Sequence, residues 1–187
     1  MKTKDLAYIA LFAAITAVLG LVPAIAVGPV PITAQTLGVM LAGSILGARR
    51  GFLSQLLFLV LVAIGLPILP GGGGGLAVFA GPTAGYLFSW PIAAGVTGLL
   101  TERLWTRYNL AWGVLANVVG GIVVVDAIGV PVLAVVANLS SRAAIAAGVL
   151  PFLIGDGIKA VVAAAIAVQV RRSYPVIERP QRRFALR

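Results

Sequence analysis

The chain has 187 residues, of which 60% are hydrophobic and 10% charged, with a mean hydropathy of +1.08 and a net charge of +9. This composition is far more apolar than that of an average soluble domain, and it predicts an all-α integral membrane protein. Cysteine and histidine are absent, which excludes disulfides, thiolate metal sites and catalytic Ser-His or Cys-His pairs.

Short clusters of proline, glycine or charge divide the apolar sequence into six predicted transmembrane helices. The first three cover about residues 6–22, 33–48 and 51–69, and the second is short for a bilayer core. The third runs into five consecutive glycines at residues 71–75. We interpret this run as a mobile lid or hinge, because glycine lets the backbone approach a ligand closely.

The last three predicted spans cover about residues 82–100, 110–125 and 149–170. After Asp126 the sequence stays apolar, but Gly129 and Pro131 predict a break, so that residues 126–148 form an outer segment. Residues 1–170 are therefore the predicted membrane domain, and residues 171–187 are a predicted basic cytoplasmic tail.

Positive charge is distributed unevenly between the two sides of the predicted membrane. With the N-terminus inside, the inner regions carry twelve lysines and arginines, and the outer loops carry only Arg142. This bias predicts an even number of spans with both termini in the cytoplasm. It also removes the need for a nucleic-acid partner, because the bias and the anionic inner leaflet of the lipid bilayer account for the net charge.

Asp156 and Lys159 place an acid and a base three residues apart within the sixth predicted span. On a helix the two side chains share one face, and ionisable groups at membrane depth usually mark a substrate or ion path. The alternative is an ion pair that only joins two helices. We favour the site, and the orientation places it in the outer leaflet, in a pocket open to the outside.

Other polar residues near the outer ends of the spans are candidates for the same pocket. Gln35 is one, although it could merely cap a helix. Tyr86 is another, although it could be an interfacial anchor. Asn138 and Arg142 lie in the last outer loop, and Arg142 is the candidate for binding a ligand carboxylate at the pocket mouth.

The first span carries small residues at helical spacing, with Ala10 and Ala14 forming a small-xxx-small stripe. Packing within the chain is the alternative to a partner helix. The absence of any nucleotide-binding motif favours the partner, because a driven transporter without such a motif needs an energised subunit.

Four motifs, read together, resemble the BioY family, the biotin-specific substrate-binding components of energy-coupling factor (ECF) transporters. They are VPITAQTLG at residues 30–38, GLP at 65–67 before the glycine run, GPTAGY at 81–86 and LPFLIGDGIK at 150–159. The resemblance covers residues 6–170. It implies a prokaryotic multi-pass cell-membrane protein that captures biotin from outside, with a transmembrane coupling subunit and ATPase subunits as partners.

The resemblance also implies roles for particular residues. Asp156 and Lys159 match positions that contact biotin, and Ala10 and Ala14 match positions that face the coupling subunit. Gly73 stands where some members carry an asparagine in the glycine run, so a ligand hydrogen bond there is either missing or supplied elsewhere.

Asp126 resembles an acidic residue that is found in some members of the BioY family. We rank it below Asp156, because it lies nearer water and could simply end a helix.

Two other classes of protein remain open. One is a channel or substrate-binding subunit for another small vitamin, with the same topology and a different pocket. The other is a membrane enzyme with Asp156 as acid or base, which the lack of histidine, cysteine and paired acids within a span disfavours. We therefore predict a vitamin transporter subunit with no enzymatic activity, cofactor or metal site.

Overall fold

The computed structural model describes residues 2–177, which form a bundle of helices. Three helices come first: α1 (Thr3–Leu19), α2 (Gln35–Leu46) and α3 (Ala48–Ala63). Two short 3-10 turns, Pro70–Gly72 and Leu76–Ala80, lie before α4 (Ala84–Arg103). One continuous helical stretch then comprises α5 (Leu110–Val118), a π-helical segment (Val119–Val124) and α6 (Val125–Val136), and it is followed by α7 (Ser141–Gly148) and α8 (Leu153–Ser173).

Helix α4 lies at the centre of the bundle, where it packs against α2, α3, α6 and the π-helical segment. Glycines make these close approaches possible. A Cβ atom at Gly98 would overlap the backbone of Gly47, and one at Gly120 would overlap Thr97. Helix α8 packs against α2 and α5, so that α2 is covered on several sides and all but two of its residues are buried.

One end of the bundle gathers the start of α1 and the end of α8. The ammonium of Lys4 lies 2.6 Å from the hydroxyl of Tyr174. The guanidinium of Arg171 donates to the carbonyls of Trp105 and Tyr108 in the connection between α4 and α5, and its carbon lies 4.8 Å from the centroid of the Trp105 ring. The connections formed by residues 20–34, 64–83 and 137–152 therefore lie at the opposite end.

The helix that begins at Leu110 is longer than the sequence predicts. The predicted break after Asp126 is wrong, because the helix passes through Gly129 and Pro131 to Val136. Gly129 is there for packing, since a Cβ atom at this position would overlap the ring of Tyr86. Proline inside the helix removes one backbone donor, a defect that helices packed within a membrane bundle tolerate.

Two helical stretches of the described chain, Leu110–Val136 and Leu153–Ser173, are long and apolar enough to cross a membrane. Helices α1, α2 and α3 have 17, 12 and 16 residues, and α3 ends six residues before the predicted third span does. Of the predicted basic tail, residues 171–173 belong to α8, and residues 178–187 lie outside the described part of the chain.

Candidate functional site

A cavity of about 290 Å³ lies at the end of the bundle opposite Lys4 and Arg171. Its wall is largely apolar, and a few polar side chains reach it, which is the usual make-up of a small-molecule site. The apolar part of the wall comes from several elements of the fold: Val30, Leu69, Leu87, Trp90, Val125 and Phe152. The polar part comprises Thr33, Gln35, Thr36, Thr83, Tyr86, Asp126, Asp156 and Lys159.

Asp156 and Lys159 form the charged group of this wall, in the first two turns of α8. Their spacing of three residues brings the side chains together, with 2.8 Å between the Lys159 ammonium nitrogen and Asp156 Oδ1. The lysine side chain is 15% exposed and that of the aspartate 11%. The pair is therefore largely removed from water, where one charge without the other would be costly.

Two threonines complete the hydrogen bonding of the lysine: Thr33 in the connection before α2, and Thr36 in α2. Lys159 donates to the Thr33 carbonyl at 2.6 Å and to the Thr36 hydroxyl at 2.9 Å. An ammonium has three donors, and these contacts together with Asp156 use all of them. Thr36 also donates to Asp156 Oδ1 at 3.3 Å. The other carboxylate oxygen, Oδ2, has no hydrogen bond within the described chain and remains able to accept one.

Gln35 also contributes to the wall, but its amide nitrogen is committed to the protein. Nε2 donates to the Thr16 carbonyl of α1 and to the Ile68 carbonyl of the α3–α4 connection, each at 3.0 Å. The side chain is fully buried. Gln35 is the first residue of α2, so it joins the start of that helix to two other parts of the fold.

Tyr86 lines the cavity from the first turns of α4. Its hydroxyl donates to the Gly148 carbonyl at the end of α7 over 3.1 Å, and its ring packs on Gly129 of α6. The tyrosine is therefore a buried wall residue that ties three helices together.

The glycine run begins with a hydrogen-bonded turn. The Leu69 amide donates to the Gly73 carbonyl, and the Gly72 amide donates to the Leu69 carbonyl, both at 3.0 Å. Gly71 and Gly72 have φ angles of 72° and 79°, which only glycine adopts at little cost. Gly73 lines the cavity, as expected if this run approaches a ligand.

Arg142 is not brought to the cavity. It is exposed in the first turn of α7 and does not belong to the lining residues, because α7 packs its other side on α6. Asn138 also lies outside the lining residues. Ala10 and Ala14 are exposed on α1, on the face turned away from the buried Ile9 and Ala13.

Sequence reasoning did not single out the two threonines, and its suggestion that Asp126 ends a helix is wrong. Asp126 lies inside a continuous helix and lines the cavity. Thr36 is a hydroxyl residue in the first turn of α2, where the apolar helix begins, and its polar side chain is a signal that could have identified it. Thr33 lies before α2 and contacts Lys159 through its backbone carbonyl, a contact that the residue type does not reveal.

Comparisons with known proteins agree with the resemblance described above and confirm it. The model of the BioY family matches residues 1–176. The "Biotin transporter BioY" of Rhizobium etli is 53% identical, covering 95% of this chain and 98% of that protein. The protein of the same name from Rhodobacter capsulatus is 46% identical, covering 92% and 95%. A crystal structure of "the S-component for biotin from an ECF-type ABC transporter" is 34% identical with a TM-score of 0.86, covering 92% of this chain and 95% of that one.

Proposed function

This chain belongs to the BioY family, and on that premise we propose that it captures biotin at the outer face of a prokaryotic cell membrane. It acts as the substrate-binding component of an ECF-type ABC transporter, in which ATPase subunits drive translocation through a coupling subunit. The observation that carries the proposal is the Asp156–Lys159 pair at the wall of a largely apolar cavity.

The proposed topology has six membrane spans and both termini in the cytoplasm. The spans are α1, α2, α3, α4, the continuous helix Leu110–Val136 and α8. Lys4 and Arg171 lie at one end of the bundle and the cavity at the other, which agrees with the positive-inside rule. The 27-residue helix measures ~40 Å, so it tilts or extends beyond a bilayer core of ~30 Å. Residues 1–170 form the proposed membrane domain and residues 171–187 the basic tail.

The polar groups of the wall match the ureido ring of biotin, which has two N–H donors and one carbonyl. Asp156 Oδ2 has no hydrogen bond within the described chain and accepts one ureido N–H. Asp126 offers a second carboxylate on the same wall. Lys159 donates to a ligand oxygen by exchanging one of its three protein acceptors.

The apolar groups of the wall match the rest of the ligand. Leu87, Trp90 and Phe152 are buried side chains that line the cavity. They give the thioether ring and the aliphatic chain of biotin a surface that removes them from water, worth ~25 cal/mol for each Å² of apolar area buried. Tyr86 and Gly73 complete the proposed binding surface.

The proposed contact with the coupling subunit is the exposed face of α1. Ala10 and Ala14 are exposed there, and larger apolar side chains beside them, Leu11 and Val18, are 53% and 62% exposed. Small residues on an apolar helix face let a second helix pack closely.

Equilibrium binding of labelled biotin to the purified chain in detergent tests the proposal. The parent chain is expected to bind tightly, and Asp156→Asn is expected to weaken binding by about tenfold or more, the value of a hydrogen bond to a charged group. Unlabelled vitamins of other classes serve as competitors. A folded parent chain that binds no biotin, or that exchanges it for another vitamin, would overturn the biotin assignment.

A further inference from the structure

We propose that Gln35 is a positioning residue that holds the α3–α4 connection against the cavity and thereby sets how fast a bound ligand leaves. The identity of the ligand, biotin, rests on the proposed function. The hydrogen bond from Gln35 to the connection is a property of the protein alone, so its role in holding the connection is testable without any ligand.

The geometry at Gln35 requires a side chain with two donors on one atom. Its Nε2 lies 3.0 Å from the carbonyl oxygens of both Thr16 and Ile68. Both partners only accept hydrogen bonds, so a primary amide joins them and a carboxylate or an apolar side chain does not. Thr16 belongs to α1, and Ile68 belongs to the connection. Gln35 therefore fixes the connection to the helix bundle from a fully buried position.

A second contact holds the same segment at its other side. The Gly75 amide donates to the Val62 carbonyl of α3 over 2.8 Å. Apart from the local bond between the Ile68 amide and the Leu66 carbonyl, this bond and the one from Gln35 to Ile68 are the hydrogen bonds that join residues 67–80 to the rest of the described chain. The segment between them supplies Leu69 and Gly73 to the cavity wall.

The packing around Ile68 indicates that the connection is fitted to this contact. A Cβ atom at Gly20, just after α1, would overlap the Ile68 carbonyl and Gln35 Nε2. The Gly20 backbone is in the ordinary right-handed helical region, with φ at −69°. Its lack of a side chain therefore serves the close approach of the connection and not a special backbone angle.

Loss of the Gln35 donors leaves the bond from Gly75 to Val62 of α3 as the remaining hydrogen bond between the segment and a helix of the described bundle. One net hydrogen bond corresponds to about a fivefold change in a rate or population. Gln35→Leu is therefore expected to raise the biotin dissociation rate about fivefold while the association rate changes little, because both Nε2 donors already bond protein carbonyls and the variant loses the contact with the connection.

Gln55 provides a matched control that also contacts Thr16. It is also a fully buried glutamine, and its Nε2 donates to the Thr16 hydroxyl at 3.1 Å and the Ser54 hydroxyl at 3.2 Å. It has no hydrogen bond to the connection. Gln55→Leu therefore removes a comparable buried amide from the same cluster while leaving the contact with Ile68 in place.

The absence of cysteine makes a site-specific probe straightforward. Leu76 lies in the connection and is 74% exposed, so Leu76→Cys carries a nitroxide label whose mobility is read by electron paramagnetic resonance. Without biotin, the label is expected to become more mobile in Gln35→Leu and to stay as in the parent in Gln55→Leu. Biotin dissociation is then measured in the same three chains.

Equal mobility in the parent and Gln35→Leu, or equal increases in both glutamine variants, would overturn the inference. Gly20→Ala is a second variant for the case in which Gln35→Leu does not fold, and it is expected to mobilise the label because the added methyl displaces Ile68. A parent chain that fails to bind biotin overturns the proposed function alone, because label mobility still decides the role of Gln35.

Discussion

Replacing Lys159 with methionine tests whether the charged pair of the cavity wall behaves as a buried unit. Methionine preserves most of the length of the side chain and removes the charge. The substitution eliminates contacts to Asp156, Thr33 and Thr36, all between 2.6 and 2.9 Å. It leaves the Asp156 carboxylate without its cation in a position where its side chain is 11% exposed.

The expected cost follows from the burial of the two partners. Removing one member of a buried ion pair typically destabilises a protein by about 3–5 kcal/mol, because the other charge remains buried and unpaired. Replacing both members with apolar residues is often close to neutral. The free energy of unfolding of the double variant Asp156→Leu, Lys159→Met is therefore expected to lie within about 1 kcal/mol of that of the parent chain. Neither this variant nor Lys159→Met is expected to retain parental affinity for biotin.

Unfolding titrations in mixed micelles at neutral pH measure the difference. Three free energies of unfolding are compared, those of the parent, Lys159→Met and the double variant, and biotin affinity is recorded for each. A single variant as stable as the double variant would refute the reasoning, since the lone carboxylate would then carry no penalty. Circular dichroism of each chain before titration checks that the helical content is preserved.

Further substitutions test other parts of the structure. Arg142→Ala is expected to leave biotin affinity within about twofold of the parent, because the side chain is exposed on α7 away from the cavity; a tenfold loss would show that it reaches the ligand. Tyr86→Phe removes the hydrogen bond to the Gly148 carbonyl and should lower the free energy of unfolding by about 1 kcal/mol, so unchanged stability would count against this contact. Gly120→Ala forces a methyl group into α4 and should cost about 1–3 kcal/mol, measured against Gly157→Ala, where the added carbon meets no atom within 4 Å.

The pairing of the acid and the lysine could be predicted from the sequence because it depends on local geometry alone. Asp156 and Lys159 are three residues apart on an apolar helix, and that spacing gives a shared face in any helix. The glycine run was predicted to approach a ligand, and Gly73 lines the cavity, while the role of the run as a mobile lid or hinge stays a prediction. The bond from the Gly75 amide to the Val62 carbonyl depends on the position of α3, which composition does not reveal.

The features that the sequence did not predict depend on packing between distant segments. Gly129 and Pro131 suggested a break, yet Gly129 is required by the ring of Tyr86, more than forty positions away. The direction of Arg142 follows from the side of α7 that packs on α6, and a short helix does not reveal this in isolation. Even the bonding of Gln35 to Thr16 and Ile68 requires three elements to meet.

The position of α8 in the chain has a consequence for biogenesis. Among the described helices it is synthesised last, since ribosomes build proteins from the N-terminus. It supplies Asp156 and Lys159 near its N-terminal end and Arg171 near its C-terminal end. A nascent chain that stalls before Leu153 therefore has neither member of the charged pair. If the pair binds biotin as proposed, the capacity to hold the ligand arises only once α8 has been translated, and a chain truncated before Leu153 is expected not to bind biotin.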